Sequence, residues 1–215
     1  MNILVLGANG QIARLVEEQL LKSADRFNLK LYLRNKARLN EYADNAHVEL
    51  IEGDINNVQA LKDAMKNIDL VFVATVDNKN GNTLTKGVIS AMKQAGVKRV
   101  LAANSIGIYN EEPNQKFADW NQDMLRPYIP AMRTSDELYQ ASGLDYTTLR
   151  FAWLNDHDEI NYSVTNRGEK FAGGSGSRKS MADLVVKIVN NPDLYLDKTI
   201  GISDPETKNN GSVVY

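Results

Sequence analysis

The chain has 215 residues, of which 43% are hydrophobic and 24% are charged, and its formal net charge is -2. These ordinary values exclude the basic excess that nucleic acids and anionic membranes attract. The absence of cysteine excludes disulfides, thiolate nucleophiles and iron–sulfur clusters. Because its two histidines, His47 and His157, lack the spacing of metal ligands, we expect no metal.

Length and patterning predict a single domain over residues 1–215, with a core at 1–150 and a smaller segment at 151–215. The first residues lack the features of a signal peptide, and no apolar run approaches the roughly 20 residues of a membrane helix. We therefore expect a cytoplasmic protein that binds a small molecule and contacts neither membrane nor nucleic acid. We expect it to be a monomer or a small homo-oligomer.

Short apolar runs alternate along the chain with segments of helical period, a pattern typical of a parallel sheet covered on both faces. Apolar side chains recur on one helical face from Ile12 to Leu20, from Val58 to Met65 and from Leu84 to Ala95. Glycines at the ends of the third and fourth helices act as stop signals; they are Gly96 and Gly143. Strands are predicted at residues 3–6, 29–33, 48–51, 70–74, 100–103 and 146–149.

Beyond Arg150 this alternation ends, and residues 151–176 are predicted to be mostly irregular. A last helix follows, in which Ser180 and Asp183 have the spacing of a capping box and Pro192 marks the stop. A short strand is predicted at residues 199–202. The fold class is therefore α/β, a doubly wound parallel sheet in three αβα layers with a small C-terminal extension.

The run Gly7-x-x-Gly10-x-x-Ala13 lies between the first predicted strand and the first predicted helix. Gly7 permits a tight turn, Gly10 lets the backbone approach a pyrophosphate, and Ala13 lets the helix pack closely on the strand. The free N–H groups of the helix start complete an anion site. The alternative is a tight connection without a nucleotide. We predict a phosphate site formed by Gly7, Asn9, Gly10, Gln11 and Ile12. Residues 1–150 are therefore the predicted dinucleotide-binding core, and residues 151–215 are the predicted substrate-side segment with the last helix.

The residue after the second predicted strand bears on the choice of cofactor. An NAD site usually has an acidic residue there, which accepts hydrogen bonds from the ribose 2′-OH. This chain has Arg34 instead, followed by Lys36 and Arg38. Because a guanidinium suits a 2′-phosphate, we predict NADP(H) as the preferred cofactor, with NAD(H) as the alternative. The other interpretation of these basic residues is a solvated turn.

Together these residues resemble the Rossmann-type NAD(P)-binding proteins of the atypical short-chain dehydrogenase/reductase family, of the NmrA-like and biliverdin-reductase-B-like kind. The resemblance covers nearly the whole chain. Its specific elements are residues 7–13, 34–35, 53–54, 74–75, 105, 142–150 and 177–183. It implies that Asp54 and Ile55 border the adenine, and that the path toward the nicotinamide ribose is lined by Ala74, Thr75 and Val76.

The resemblance also implies a serine after the fifth strand and a Tyr-x-x-x-Lys motif, whose lysine lowers the pKa of the tyrosine. The candidate catalytic residues are therefore Ser105 and Tyr128. Met132 stands where the lysine belongs, and Arg133, one residue further, is rotated by about 100° on a helix. A carbonyl-reductase mechanism is thus in doubt. The alternatives are a packing role for Tyr128 and a turn-stabilising role for Ser105.

The leading functional hypothesis is an NADPH-dependent reductase of a small conjugated or carbonyl substrate, such as a flavin, a quinone or biliverdin, in which positioning supplies most of the catalysis. The rival is a redox-sensing regulator that binds NADP(H) without turnover. A third hypothesis is epimerase or dehydratase chemistry on a nucleotide sugar. It is disfavoured because the chain after Arg150 is short for a substrate domain and the Tyr/Lys pair is incomplete.

Overall fold

The computed structural model describes residues 1–212, so the last three residues of the predicted domain lie outside the described residues. The strands are β1 (Asn2–Leu6), β2 (Asn28–Leu33), β3 (Val48–Glu52), β4 (Leu70–Val73), β5 (Arg99–Ser105), β6 (Asp145–Phe151), β7 (Trp153–Asn155), β8 (Ser163–Asn166), β9 (Ser175–Ser177) and β10 (Lys198–Ser203). The α-helices are α1 (Gln11–Leu21), α2 (Val58–Ala64), α3 (Thr83–Ala95), α4 (Gln115–Leu125), α5 (Ile129–Gln140) and α6 (Arg178–Asn190).

An eight-stranded sheet runs through the molecule in the order β3-β2-β1-β4-β5-β6-β10-β8. The first seven strands are parallel, and β8 pairs with β10 in the antiparallel sense at one edge. The chain order reverses between β1 and β4, which creates the crevice where ligands bind in open α/β sheets. The predicted doubly wound fold is confirmed.

Alternate side chains of each central strand enter two separate apolar layers. In β1, Ile3 and Val5 join a core cluster with residues of α1 and α6, whereas Leu4 and Leu6 join a cluster with residues of α2 and α3. Both faces of the sheet are therefore covered, which explains why its strands are continuous apolar runs in the sequence. In residues 1–212 we find no helix with the length and hydropathy to cross a bilayer.

The prediction of an irregular segment at 151–176 is wrong in part, because three short strands lie wholly or partly within it. Strand β7 pairs with β9, and β8 pairs with β10. These strands have only three or four residues and include polar runs such as Ser175-Gly176-Ser177. Such segments carry no apolar alternation, so only their pairing partners in the fold make them strands.

Two predicted helix boundaries also change. The N-cap of α6 is Ser177, whose side chain accepts the backbone N–H of Ser180, so the predicted capping box at 180–183 is wrong. Gly96 is the left-handed C-cap of α3, as predicted. Gly143 also has a positive φ, but α5 ends earlier, with Ala141 as its C-cap.

The buried face of α1 contains a charged residue that the apolar stripe did not predict. Glu17 is fully buried, and neither of its carboxylate oxygens has a hydrogen-bond partner among residues 1–212. Burial raises the pKa of Glu17 to about 8, an effect that Arg14 opposes and Glu41 reinforces. At neutral pH this carboxyl group is therefore mainly protonated in the folded protein.

Glu17→Gln should remove a pH-dependent loss of stability. Because the folded pKa of about 8 exceeds the ordinary glutamate value of 4.5, the protein is most stable below the lower value and loses stability as the pH rises toward the higher one. Across that window, the free energy of unfolding of the variant should therefore rise relative to that of wild type by up to about 1.4 kcal/mol per pH unit.

Urea denaturation at several pH values measures this difference, with Glu18→Gln on the exposed face of α1 as the control. A constant difference between Glu17→Gln and wild type across the window would contradict the assignment.

Candidate functional site

A cleft of about 1160 Å³ opens at the carboxyl edge of the sheet, beyond the ends of β1, β2, β3 and β4. Pockets for small molecules typically measure about 300–1,000 Å³, so this cleft accommodates an extended ligand. Nine of the predicted site residues line it: Gly7, Asn9, Gly10, Arg34, Asp54, Ile55, Ala74, Thr75 and Val76.

The other four predicted residues lie outside this lining. Gln11 and Ile12 form the first turn of α1, directly after the glycine-rich turn. Ser105 is the last residue of β5, and Tyr128 is the N-cap of α5. The fold therefore brings the predicted phosphate, adenine and ribose residues together, and the two predicted catalytic residues do not line the cleft.

The glycine-rich turn packs tightly against the neighbouring strands. Gly7 has a φ of 81°, and its N–H donates to the carbonyl of Tyr32 at the end of β2, 3.1 Å away. The first turn of α1 has no side-chain cap and no acidic residue. Its N–H groups and the positive end of the helix dipole are therefore available to an anion.

The end of the cleft beyond β2 carries two arginines, and we call it the basic end, although the carboxylates of Glu52 and Asp54 also line it. Arg34 and Arg38 line it, whereas Lys36 does not, and the backbone N–H of Lys36 donates to Glu52 at 3.0 Å. Hydrogen bonds from the backbone and side chain of Asn56 lower the pKa of Asp54, and the positive charge of Arg34 lowers it further. Asp54 is therefore ionised and lies within the electrostatic reach of Arg34.

Tyr32 is a lining residue that the sequence did not single out. Its ring is buried, and its hydroxyl donates to the carbonyl of Asp54 at 3.0 Å. A Cβ at Gly53 would lie 2.1 Å from that hydroxyl oxygen, so only glycine fits beside it. The sequence shows the Gly53-Asp54 pair. It does not show that position 53 requires glycine because of Tyr32, which lies on a different strand.

The segment after β4 supplies a second set of unpredicted residues. Asp77 lines the cleft, is 6% exposed, and accepts the N–H and O–H of Thr85 at 3.0 and 2.8 Å. Ser135 of α5 lies 2.7 Å from the Thr85 hydroxyl and donates to it, because the proton of Thr85 is already directed to Asp77. Asn82 also donates to the carbonyl of Ala131, so two contacts fasten this segment to α5.

The position of Asp77 in the sequence could have identified it as a candidate lining residue, because it follows the carboxyl end of a buried strand.

The neighbourhood of Tyr128 lacks the cation of a Tyr-x-x-x-Lys motif. Tyr128 is 44% exposed, while Met132 is buried and packs with Ile108 and Ile129. The guanidinium of Arg133 donates to the backbone carbonyl of Ile108. Arg133 therefore does not take the place of the missing lysine.

A family described as NAD(P)H-binding matches residues 7–192. Among curated proteins, the UPF0659 protein YMR090W of Saccharomyces cerevisiae is 25% identical, with 94% of this chain and 92% of that protein covered. Among solved structures, a Rossmann-fold NAD(P)-binding family protein from Shigella flexneri is 36% identical, with a TM-score of 0.80 over 96% of this chain and 94% of that one.

A short-chain dehydrogenase/reductase from Veillonella parvula, solved in complex with NADP, is 27% identical, with a TM-score of 0.92 over 100% of this chain and 99% of that one.

Thr85→Val should destabilise the protein by about 1–3 kcal/mol, because the buried carboxylate of Asp77 loses an O–H donor and Ser135 loses its acceptor. Chemical denaturation measures the loss. Thr85→Ser retains the hydroxyl and is the matched control, and a valine variant as stable as the serine variant would contradict the hydrogen-bond chain.

Proposed function

The chain belongs to the NAD(P)H-binding family, and on this basis we propose that it is an NADP(H)-dependent reductase of a small conjugated or carbonyl compound, such as a flavin, a quinone or biliverdin. The observation that carries the proposal is the cleft, which combines an open helix N-terminus with a basic end. We expect the protein to work in the cytoplasm on a small-molecule substrate, as a monomer or small homo-oligomer.

The cleft residues suit the separate parts of the cofactor. The glycine-rich turn and the first turn of α1 offer N–H donors for the pyrophosphate. Arg34 and Arg38 offer the charge that a 2′-phosphate requires, which favours NADP(H) over NAD(H). Asp54 and Ile55 would border the adenine, and Ala74, Thr75 and Val76 would lie along the nicotinamide ribose. The NADP complex of the Veillonella parvula protein supports this assignment.

The bound cofactor would supply a hydride from its nicotinamide ring. The contribution of this chain is to hold the reactants in place and to keep water away. Val76, which lines the cleft, packs against the apolar cluster of Ile108, Ile129 and Met132. These apolar surroundings favour a flat, apolar acceptor. Ser105 and Tyr128 are the proposed proton donors for acceptors that need one.

The replacement of the motif lysine by Met132 also favours conjugated acceptors, because Tyr128 then lacks the residue that makes the tyrosine of a Tyr-x-x-x-Lys motif an effective acid. A flavin, a quinone or a tetrapyrrole spreads the incoming charge over its ring system and needs less proton transfer from the protein. The same observation underlies the rival function, a regulator that binds NADP(H) without turnover.

Arg34→Asp should reverse the cofactor preference, because the carboxylate repels a 2′-phosphate and accepts hydrogen bonds from a 2′-OH. We expect the NADPH:NADH affinity ratio to fall by about tenfold or more. Calorimetric titration with each cofactor measures the ratio. An unchanged ratio would show that Arg34 does not contact the 2′-phosphate.

Purified protein should oxidise NADPH in the presence of at least one of flavins, quinones, biliverdin or small carbonyls. Tyr128→Phe should lower kcat for a conjugated acceptor by less than about tenfold, because a general acid is worth about 10²–10⁴ only where it is needed. Tight NADP(H) binding without NADPH oxidation in the presence of any of these compounds would favour the regulator. A hundredfold fall in kcat would instead make Tyr128 a general acid.

A further inference from the structure

Arg14 of α1 contacts both the glycine-rich turn and the loop after β2, although it does not line the cleft. It lies on α1, one turn beyond the glycine-rich turn. Its guanidinium donates to the side-chain oxygen of Asn9 at 3.0 and 3.3 Å and forms an ion pair with Glu41 at 2.6 Å. It also donates to the backbone carbonyl of Arg38. One side chain therefore joins the glycine-rich turn to the basic loop that follows β2.

The contact with Asn9 fixes the orientation of an amide in the cleft. A guanidinium has only donors, so the Oδ1 atom of Asn9 must face it. The Nδ2 atom of Asn9 is then directed elsewhere, and within residues 1–212 it has no hydrogen-bond partner. Because Asn9 lines the cleft, its NH₂ group is free to donate to a phosphate oxygen.

The contact with Arg38 holds the backbone of a basic lining residue. Residues 36–42 form an irregular 3-10 turn that breaks helical geometry at Leu39, where φ is -123°. The bonds from Arg14 to the Arg38 carbonyl and to Glu41 fasten it to α1, and they thereby set where the Arg38 side chain enters the cleft.

We propose that Arg14 is a positioning residue that sets the NADP(H) preference of the cleft from outside it. It orients the Asn9 amide toward the phosphates and holds Arg38 beside Arg34 at the basic end. This inference rests on the proposed function. The Asn9 contact affects any dinucleotide, whereas the Arg38 contact affects only a cofactor with a 2′-phosphate.

The test compares dissociation constants for NADPH and NADH in wild type, Arg14→Met, Arg14→Lys and Lys22→Met. Arg14→Met should weaken NADPH binding by about tenfold and NADH binding by less, so that the NADPH:NADH affinity ratio falls. Lys22→Met removes a positive charge from the far end of α1 and should leave the ratio unchanged.

Arg14→Lys separates geometry from charge. A lysine keeps the positive charge beside the buried Glu17, but its single ammonium cannot reproduce the planar fork of donors. The NADPH:NADH affinity ratio of Arg14→Lys should therefore fall as in Arg14→Met. If Arg14→Met does not fold, Arg14→Lys alone tests the inference. Thermal unfolding of each variant confirms that the folded protein is being titrated.

Two results would overturn the inference: an equal loss of affinity for both cofactors in Arg14→Met, which a purely structural role predicts, or a wild-type ratio in Arg14→Lys, which charge alone predicts. If wild type prefers NADPH and both variants keep that preference, only this inference fails. If wild type binds neither cofactor, the proposed function fails and the inference fails with it.

Discussion

The parallel register of β1 with its two neighbours sets the position of every other part of the cleft. Leu6 is in register with Tyr32 of β2 on one side and with Val73 of β4 on the other. The three strands therefore end together, and the turn at Gly7, the basic loop after β2 and the segment after β4 emerge side by side. Because buried parallel strands must satisfy all their backbone groups within the sheet, this register cannot shift without exposing the core.

The walls of the cleft are held by residues that do not line it. Arg14 holds the loop after β2, and Thr85 with Ser135 holds the segment after β4. Both sets of contacts consist of donors directed at oxygens of the cleft walls, so they restrict the movement of these walls. A pre-formed site of this kind loses less conformational entropy on binding.

The packing around α5 bears on the proposed chemistry. Met132, which stands where a Tyr-x-x-x-Lys motif has its lysine, is buried and packs with Ile108 and Ile129, and a charged side chain is costly to bury in such apolar surroundings. The same helix carries the Ser135 hydroxyl that reaches the cleft wall. Helix α5 therefore contacts both the apolar cluster around Met132 and the segment after β4 that lines the cleft.

The sequence by itself determined the α/β class, the central strands and the turn at Gly7, because buried strands, amphipathic helices and tight turns each leave a local pattern of residue types. It also located Arg34 at the end of β2. Only the tertiary structure decided the strands at 153–177, the burial of Glu17 and the contacts of Arg14 and Asp77. Each of these depends on partners far away in the chain, and a contact between distant residues leaves no local pattern.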